Sequence, residues 1–593
     1  MSSEKLKSLR ASFKDHQIDG YFVFKANAHQ SEYLGPEDER LRWLTQFTGS
    51  AGSCLVLQNK AVLFVDGRYI LQAPREVDTI SLTIINTVEQ SVFEWLFQNI
   101  PEGCRIGFDP WLLTIRDHEQ YQKAICKQNA LLIPLDNNLI DDLWQDRPKA
   151  AISPIVTHPP QFSGIDTNEK IKKISQKLQD QGADLIFVNS LESVNWLFNI
   201  RGQDLPYMPV VYAFALIDQK GHRLLFADLR KIGAEVDSYL GAECILKSYD
   251  CLISTVETYA RQGLTFLIDP QMIPVKIKTI IEEAGGKIVF AQDPTLLMKA
   301  CKNDIEIKGM QNAHLRDGAA LTQFLAWIAD HITSGQVLDE WQAAQKLHEF
   351  RVQQPYFRGE SFPTISASGP HGAIVHYHAL QGRARFLQKN DVYLIDSGGH
   401  YDDGSTDVTR TIILGKATSE QKDRFTRVLK GHIALANLIF PQGTNGMQID
   451  VLARQFLWQI GLDYSHGTGH GVGSVLNIHE GPQGISKRAS PIPLQVGMIL
   501  SNEPGYYKEN HYGIRIESLL NVVSHSVINA EQPMLKFDTL TMAPIDRNLI
   551  ETSLLSKEEL TWLNQYHACV YKKLMPLVNT DIHPWLLEVT ATI

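Results

Sequence analysis

Several things are scarce or absent in this chain. Its 593 residues hold only seven cysteines, at 54, 104, 126, 244, 251, 301 and 569, with no CxxC pair and no even framework. That pattern argues against a disulfide scaffold and suits free thiols in a reducing compartment. No window reaches 18 apolar residues, so no membrane span is expected. The opening "MSSEKLKSLRASFKDHQ" carries charge throughout and has no apolar core of the kind a signal peptide needs, so the expected address is the cytoplasm. Positive charge is not in excess either: a formal net charge of −10 argues against a nucleic-acid partner. Low-complexity tracts and long charge runs are missing. What is left is an ordinary globular composition, 44% hydrophobic and 21% charged, in a chain too long for one core.

Order along the chain points to a duplication. Residues 4–17 read as an amphipathic helix that stops near Gly20 and gives way to the strand-like "YFVF". Later, "NEKIKKISQKLQDQG" sets Ile171, Ile174 and Leu178 on one helical face, stops at Gly182, and leads into "ADLIFV". "RWLTQFTG" (42–49) is then echoed by "NWLFNIRG" (195–202), and "LFVDGR" (63–68) by "LFADLR" (225–230), at offsets of 153 and 162 residues. Two echoes in the same order predict two diverged copies of one α/β module, joined near "ISPIVTHPPQF" (152–162). A third segment opens around 303 with a helix whose Leu321, Phe324, Leu325 and Ile328 form a buried stripe. From 360 onward short strands and glycine-rich turns take over, and all the concentrated chemistry lies there.

In "DVYLIDSGGHYDDGSTDVTRTIILG" (391–415) an apolar strand ends at Asp396, and a returning strand sets Asp407, Thr409 and Thr411 on one face. The two aspartates then sit on neighbouring strands, facing one site or serving merely as turn residues. "MILSNEPGYYKENHYGIRIESLLNVV" (498–523) repeats the arrangement: Glu503 closes an apolar strand, and in the returning strand Ile514 and Ile516 face one way, Arg515 and Glu517 the other. A glutamate in an apolar strand is costly to bury unless a cation meets it, and Arg515 is one candidate.

The stretch "HGTGHGVGSVLNIHEGP" (466–482) holds histidines four apart, as in the zinc-protease helix H-E-x-x-H. Glycines at 467, 469, 471 and 473 rule out a good helix, each costing roughly 0.8–1 kcal/mol against alanine. Alternation with period two predicts an extended segment in which bare backbone admits a close neighbour. His466 and His470 on one side of such a strand stand about 13 Å apart and cannot share an ion. The glutamate a zincin needs is here Gly467. Only one of these histidines is expected to ligate metal. Asp396, Asp407, His470, Glu503 and Glu517 remain. Four carboxylates in one cleft would repel and take up protons unless cations neutralised them, and two divalent ions balance four negative charges. Oxygen-rich ligation with one imidazole favours manganese, and less clearly cobalt or zinc, over a thiolate-type zinc site, and paired ions are hydrolytic machinery.

These motifs resemble those of the pita-bread metallopeptidases of family M24B, and most closely the three-domain cytosolic aminopeptidases P. The resemblance rests on "GSAG" (49–52), "VDGRYILQA" (65–73), "FPTISASGPHGAIVHY" (362–377), "LIDSGGHYDDGSTDVTRT" (394–411), the histidine–glycine stretch, and "NEPGYY…YGIRIES" (502–518). It implies an α/β (α+β) chain of two creatinase-type modules, 1–154 and 155–305, followed by a pita-bread catalytic domain with a C-terminal extension, 306–593. It further implies removal of the N-terminal residue from peptides with proline in second position, by a hydroxide bridging two Mn2+ ions (Zn2+ or Co2+ as substitutes). Asp396 would ligate one ion, His470 and Glu503 the other, with Asp407 and Glu517 bridging. Glu503 would shuttle the proton, His479 would meet the oxyanion, His376 and His466 would frame the proline pocket, and Arg515 would orient Glu517. Homodimers, with no nucleic-acid or membrane partner, are also implied. The alternatives are a prolidase acting on Xaa-Pro dipeptides, a methionine aminopeptidase, and a non-catalytic binding protein of the same fold, which would have lost ligands that this chain keeps. His371 stands where relatives often carry asparagine.

Overall fold

The first helix of the second repeat shows how local chemistry sets the boundaries. Asp166 accepts a hydrogen bond from the Glu169 amide at the start of Thr167–Gln181, and Gly182 ends the helix in the left-handed region, at φ 67°. Ile171, Ile174 and Leu178 are buried, as their spacing predicts. The computed structural model describes residues 2–593, which form two units. One runs up to Pro159 and over Ile165–Leu296, the other over Pro160–Gly164 and Leu297–Ile593.

The first unit holds two six-stranded sheets. One is built from Gly20–Phe24, Ser53–Leu57, Ala61–Val65, Thr83–Asn86, Arg105–Phe108 and Leu131–Pro134, and the other from Leu185–Val188, Ala213–Asp218, Arg223–Ala227, Cys244–Ser248, Thr265–Ile268 and Lys287–Phe290. Counted along the chain, both sheets have the spatial order fourth, third, second, first, fifth, sixth. The first three strands pair antiparallel and the rest parallel in each. The predicted duplication is therefore a repeat of topology. A third echo, absent from the sequence reading, lies in "DPWLLTIR" (109–116) and "DPQMIPVK" (269–276). These segments meet reciprocally: Ile115 N–H donates to the Ile273 carbonyl (3.0 Å) and Val275 N–H to that of Leu113 (2.9 Å). Likewise Arg116 donates to Pro270 (2.8 Å) and Lys276 to Pro110 (3.0 Å).

In the second unit Asn303 caps the 30-residue helix Asp304–Thr333 in a capping box with Glu306. Leu321, Phe324, Leu325 and Ile328 on that helix are buried. The helix Glu340–Val352 packs on it through Arg351 and Asp317, a pair with the guanidinium wholly buried. Strands Ile365–Ser368, Val392–Ser397 and Val408–Ile413 form one antiparallel sheet. A six-stranded sheet runs Ile439–Pro441, Met534–Thr539, Ser518–His525, Ile499–Asn502, Gly469–Gly471, Glu480–Ile485 in space. The hairpin Gly505–Lys508/Tyr512–Arg515 stands apart from it. Among the described residues no helix is long and apolar enough to cross a membrane, and all seven cysteines are unpaired.

Candidate metal centre

Asp396 lies near the end of Val392–Ser397 and Asp407 just ahead of Val408–Ile413, and the register pairs Ser397 with Val408. The two aspartates thus leave adjacent strands at the same edge, and both are buried. His470 sits mid-strand in Gly469–Gly471, beside Ile499–Asn502, after which Glu503 follows directly. The flanking glycines are there because backbone lies against them. A Cβ on Gly469 would stand 2.0 Å from the Ser501 carbonyl oxygen, and one on Gly471 2.2 Å from that of Glu480. The expectation of a bare strand admitting a close neighbour holds for these two positions.

One atom each from Asp407, His470 and Glu517 lies within 4.8 Å of the others. His470 Nε2 is 3.5 Å from an Asp407 carboxylate oxygen and 3.6 Å from one of Glu503. The imidazole is oriented by its other nitrogen, which stands 2.9 Å from the Gly471 carbonyl. A carbonyl only accepts, so Nδ1 carries a hydrogen, which turns Nε2 toward the acids as the nitrogen free to ligate once it gives up its own proton. Glu517 accepts from the Thr409 hydroxyl at 2.9 Å. Asp396 accepts from Arg515 at 2.6 Å, while its other oxygen is buried without a partner.

The electrostatics are those of a site short of positive charge. Burial, reinforced by the charges of Asp407, Glu503 and Asp396, holds the Glu517 carboxyl well above the carboxylate range. Burial likewise raises Asp396 against the opposing pull of Arg515, and pushes Glu503 up to about 7. For His470, burial alone would lower the value, but the Asp407 hydrogen bond and the Glu503 charge outweigh it and raise it to about 9. Metal-free, the cluster therefore holds protons at neutral pH. An orphaned carboxylate oxygen, an imidazole nitrogen aimed at acids and carboxyls that retain protons are what a cation pair would satisfy, so these five residues fit a dinuclear centre.

The structure corrects three details. His466 is not on the strand with His470, since the strand begins only at Gly469 and His466 occupies the preceding bend. There Arg454, itself paired with Asp450, donates to the His466 carbonyl. Glu517 is not within one continuous strand with Arg515. Tyr512–Arg515 and Ser518–His525 belong to different sheets, and Glu517 lies in the two-residue break between them. Third, Arg515 does not orient Glu517 directly. Its guanidinium meets Asp396, the Tyr507 hydroxyl (2.6 Å) and the Thr409 hydroxyl (3.2 Å), and Thr409 is what holds Glu517.

Of the other histidines, the ring of His479 stands edge-on to His470 at 4.4 Å between centroids. His466 Nδ1 faces the Gly467 carbonyl, so Nε2 accepts from Tyr507 at 2.8 Å, and Tyr507 in turn accepts from Arg515. A chain His466–Tyr507–Arg515–Asp396 results, with the Tyr507 phenol pushed up to about 12 by burial. His376 is half-buried, in the turn before Tyr377. Tyr507 and the linking role of Thr409 were not read from the sequence. The signal for Tyr507 was its place three residues after Pro504 in "NEPGYY", and nothing in that word fixes where a tyrosine on a hairpin points.

Comparison with known proteins gives the following. Residues 308–524 match metallopeptidase family M24, and 533–593 match the C-terminal region of that peptidase; 5–143 and 146–306 match the creatinase/prolidase N-terminal domain. Aminopeptidase P2 of Arabidopsis thaliana is 39% identical over 98% of this chain and 87% of its own. A probable Xaa-Pro aminopeptidase P of Aspergillus clavatus is 38% identical over 100% and 93%. Among solved structures, the X-prolyl aminopeptidase of Caenorhabditis elegans, described as a cytosolic enzyme with a di-nuclear active site, superposes with a TM-score of 0.96 at 35% identity over all of both chains.

Proposed function

This chain belongs to metallopeptidase family M24, and on that premise we propose that it is an aminopeptidase cleaving the bond between an N-terminal residue and a penultimate proline. The observation that carries the reading is the convergence of Asp407, His470 and Glu517 on one point, with His470 Nε2 fixed toward it and Asp396 and Glu503 alongside. Likeness over the full chain to relatives named for Xaa-Pro specificity supports the substrate. In this reading the chain is two creatinase-type modules, 1–154 and 155–305, ahead of a pita-bread catalytic domain, 306–593. The enzyme works in the cytoplasm as a homodimer and carries two manganese ions.

Asp396 would hold one ion, His470 and Glu503 the other, and Asp407 and Glu517 both. When bound, a pair of divalent ions supplies Lewis acidity, lowering the pKa of water and polarising a carbonyl. The chain's own groups do the rest. Water adds to the carbonyl carbon before proline, and the C–N bond breaks. The proton the water loses passes to Glu503 and from there to the proline nitrogen, which leaves as a secondary amine. Glu503 sits two residues from Ser501, whose hydroxyl donates to it at 3.2 Å and fixes its rotamer. His479, against His470, is the donor to the developing oxyanion. His376 and His466 frame the proline ring, with Tyr507 holding the His466 imidazole. Arg515 opposes protonation of Asp396 and aims its carboxylate.

Hydrolysis of Ala-Pro-Ala, with Ala-Pro turned over at least tenfold more slowly, tests the reading. Activity is lost on chelation and returns with Mn2+. Faster cleavage of the dipeptide would make the chain a prolidase, and no cleavage of either by a manganese-loaded sample overturns the enzyme reading.

Loading depends on pH. Below about 7 both the Glu503 carboxyl and the His470 imidazole hold protons in the metal-free protein, and between about 7 and 9 His470 still does. Each must leave before ligation, so apparent Mn2+ affinity falls as pH drops through 9 and more steeply below 7, by about tenfold per pH unit for each displaced proton. Calorimetric titrations at pH 6, 7 and 8 in buffers of different ionisation enthalpy measure the release directly. Affinity flat across this range contradicts the assignment of those two ligands.

A further inference from the structure

Between strands Ile365–Ser368 and Val392–Ser397 the chain makes a long excursion that contains His376. It carries exposed Leu380 and Phe386. One side chain gathers it. Glu340, the first residue of the helix Glu340–Val352, is wholly buried, with none of its side chain exposed. Its carboxylate accepts from the Ser368 amide (2.7 Å), the Ser368 hydroxyl (3.1 Å), His371 Nδ1 (2.9 Å), the Tyr377 hydroxyl (2.8 Å) and the Arg385 amide (3.0 Å). All five donors lie between 368 and 385, at the start, middle and end of the excursion. The backbone closes the clamp: Glu340 N–H donates to the Arg385 carbonyl, and the Glu340 carbonyl accepts from the Ser366 hydroxyl.

Burying a carboxylate is expensive unless its acceptor capacity is filled. Here five donors fill it, and the start of a helix adds favourable dipole. Every one of those donors is spent on this excursion. Within it, the His371 and Tyr377 rings stack at 4.4 Å, which places the residue after His376 under the same control. The other end of the lever rests on the metal centre. Gly372 touches Gly513 backbone to backbone, close enough that a Cβ on Gly513 would lie 1.7 Å from the Gly372 carbonyl oxygen. Gly513 is two residues from Arg515, on the strand that delivers its guanidinium to Asp396.

We propose that Glu340 is a positioning residue for the substrate side of this site, holding the 368–385 segment so that His376 stands in register with the strand carrying Arg515. This rests on the reading above, in which His376 contacts substrate. Glu340 acts through the segment and touches no reacting atom. In Glu340→Gln an amide N–H₂ replaces an acceptor oxygen and meets donors on the segment, so part of the clamp turns repulsive while the packing volume is kept.

The test is steady-state kinetics of the full-length, manganese-loaded enzyme on Ala-Pro-Ala, with metal content and melting temperature measured alongside. Wild-type turnover establishes the underlying reading first; its absence sinks that reading rather than this proposal. Given turnover, E340Q retains two ions per chain and raises KM about tenfold with kcat changed less than about threefold. In a His376→Ala background the same substitution changes kcat/KM by less than about twofold, since what it positions is already gone. Tyr377→Phe removes one donor without touching the buried charge and raises KM about threefold, which keeps the proposal open to test if E340Q does not fold. Unchanged KM in both variants, or effects of E340Q and H376A that multiply, would overturn it.

Discussion

Glu517→Gln is expected to lower kcat/KM on Xaa-Pro-Yaa peptides by at least about a thousandfold, to reduce the metal content from two ions, and yet to leave the metal-free chain as stable as the parent or more so. The loss follows from charge: glutamine keeps the shape and the acceptor for the Thr409 hydroxyl, but supplies no anion to bridge two cations. The stability follows from linkage. Burial and neighbouring acids raise the Glu517 carboxyl in the folded chain well above its usual range. A carboxyl so raised weakens the fold at any pH above its unfolded value, because ionisation is easier in the unfolded chain. A neutral isostere removes that burden. Activity within tenfold of wild type, with both ions in place, would remove Glu517 from the centre. A destabilised metal-free variant would show that its ionised form stabilises the fold, against the electrostatics described above.

The second large effect is on stability and lies away from the chemistry. Arg351 and Asp317 join helices Glu340–Val352 and Asp304–Thr333 of the second unit, with a guanidinium–carboxylate distance of 2.8 Å and side-chain exposures of 0% and 3%. The Tyr401 hydroxyl also donates to Asp317. Arg351→Met strands a buried carboxylate and is expected to cost about 3–5 kcal/mol, read as a drop of about 5–8 °C in the melting of the second unit. Adding Asp317→Asn removes the stranded charge and recovers much of the loss, since an uncompensated charge costs more than a missing pair. A single variant within about 2 °C of wild type, or a double variant worse than the single, contradicts this account.

These two cases mark where reading the sequence reaches its limit. The duplication was legible because local words repeat in order, and the strands behind them kept their register. The four acids stood out because ionisable groups beside apolar strands are anomalous wherever they occur, and the imidazole because its glycine-rich surroundings exclude a helix. Glycines 469 and 471 were legible because their alternation breaks a helix. The partner of Arg515 was not, since a side chain on a hairpin chooses among neighbours supplied by strands some hundred residues away. Alternation made Glu517 share a face with Arg515. The chain instead changes sheets after 515, and a two-residue break resets the face. His466 failed for the same reason, as period two says nothing about where a strand begins. Glu340 gave no local sign at all. In the sequence it is an ordinary acid ahead of the strands, and only the fold reveals five donors around it.

The reciprocal contact between the repeats has a consequence of its own. Ile115 binds opposite Ile273 as Val275 binds opposite Leu113, so each repeat offers its fellow the same few residues that it takes from it. A surface of that kind is complementary to itself, which is the property that pairs identical subunits about a twofold axis. The covalent tandem thus holds, within one polypeptide, the same kind of handshake by which two identical chains would pair.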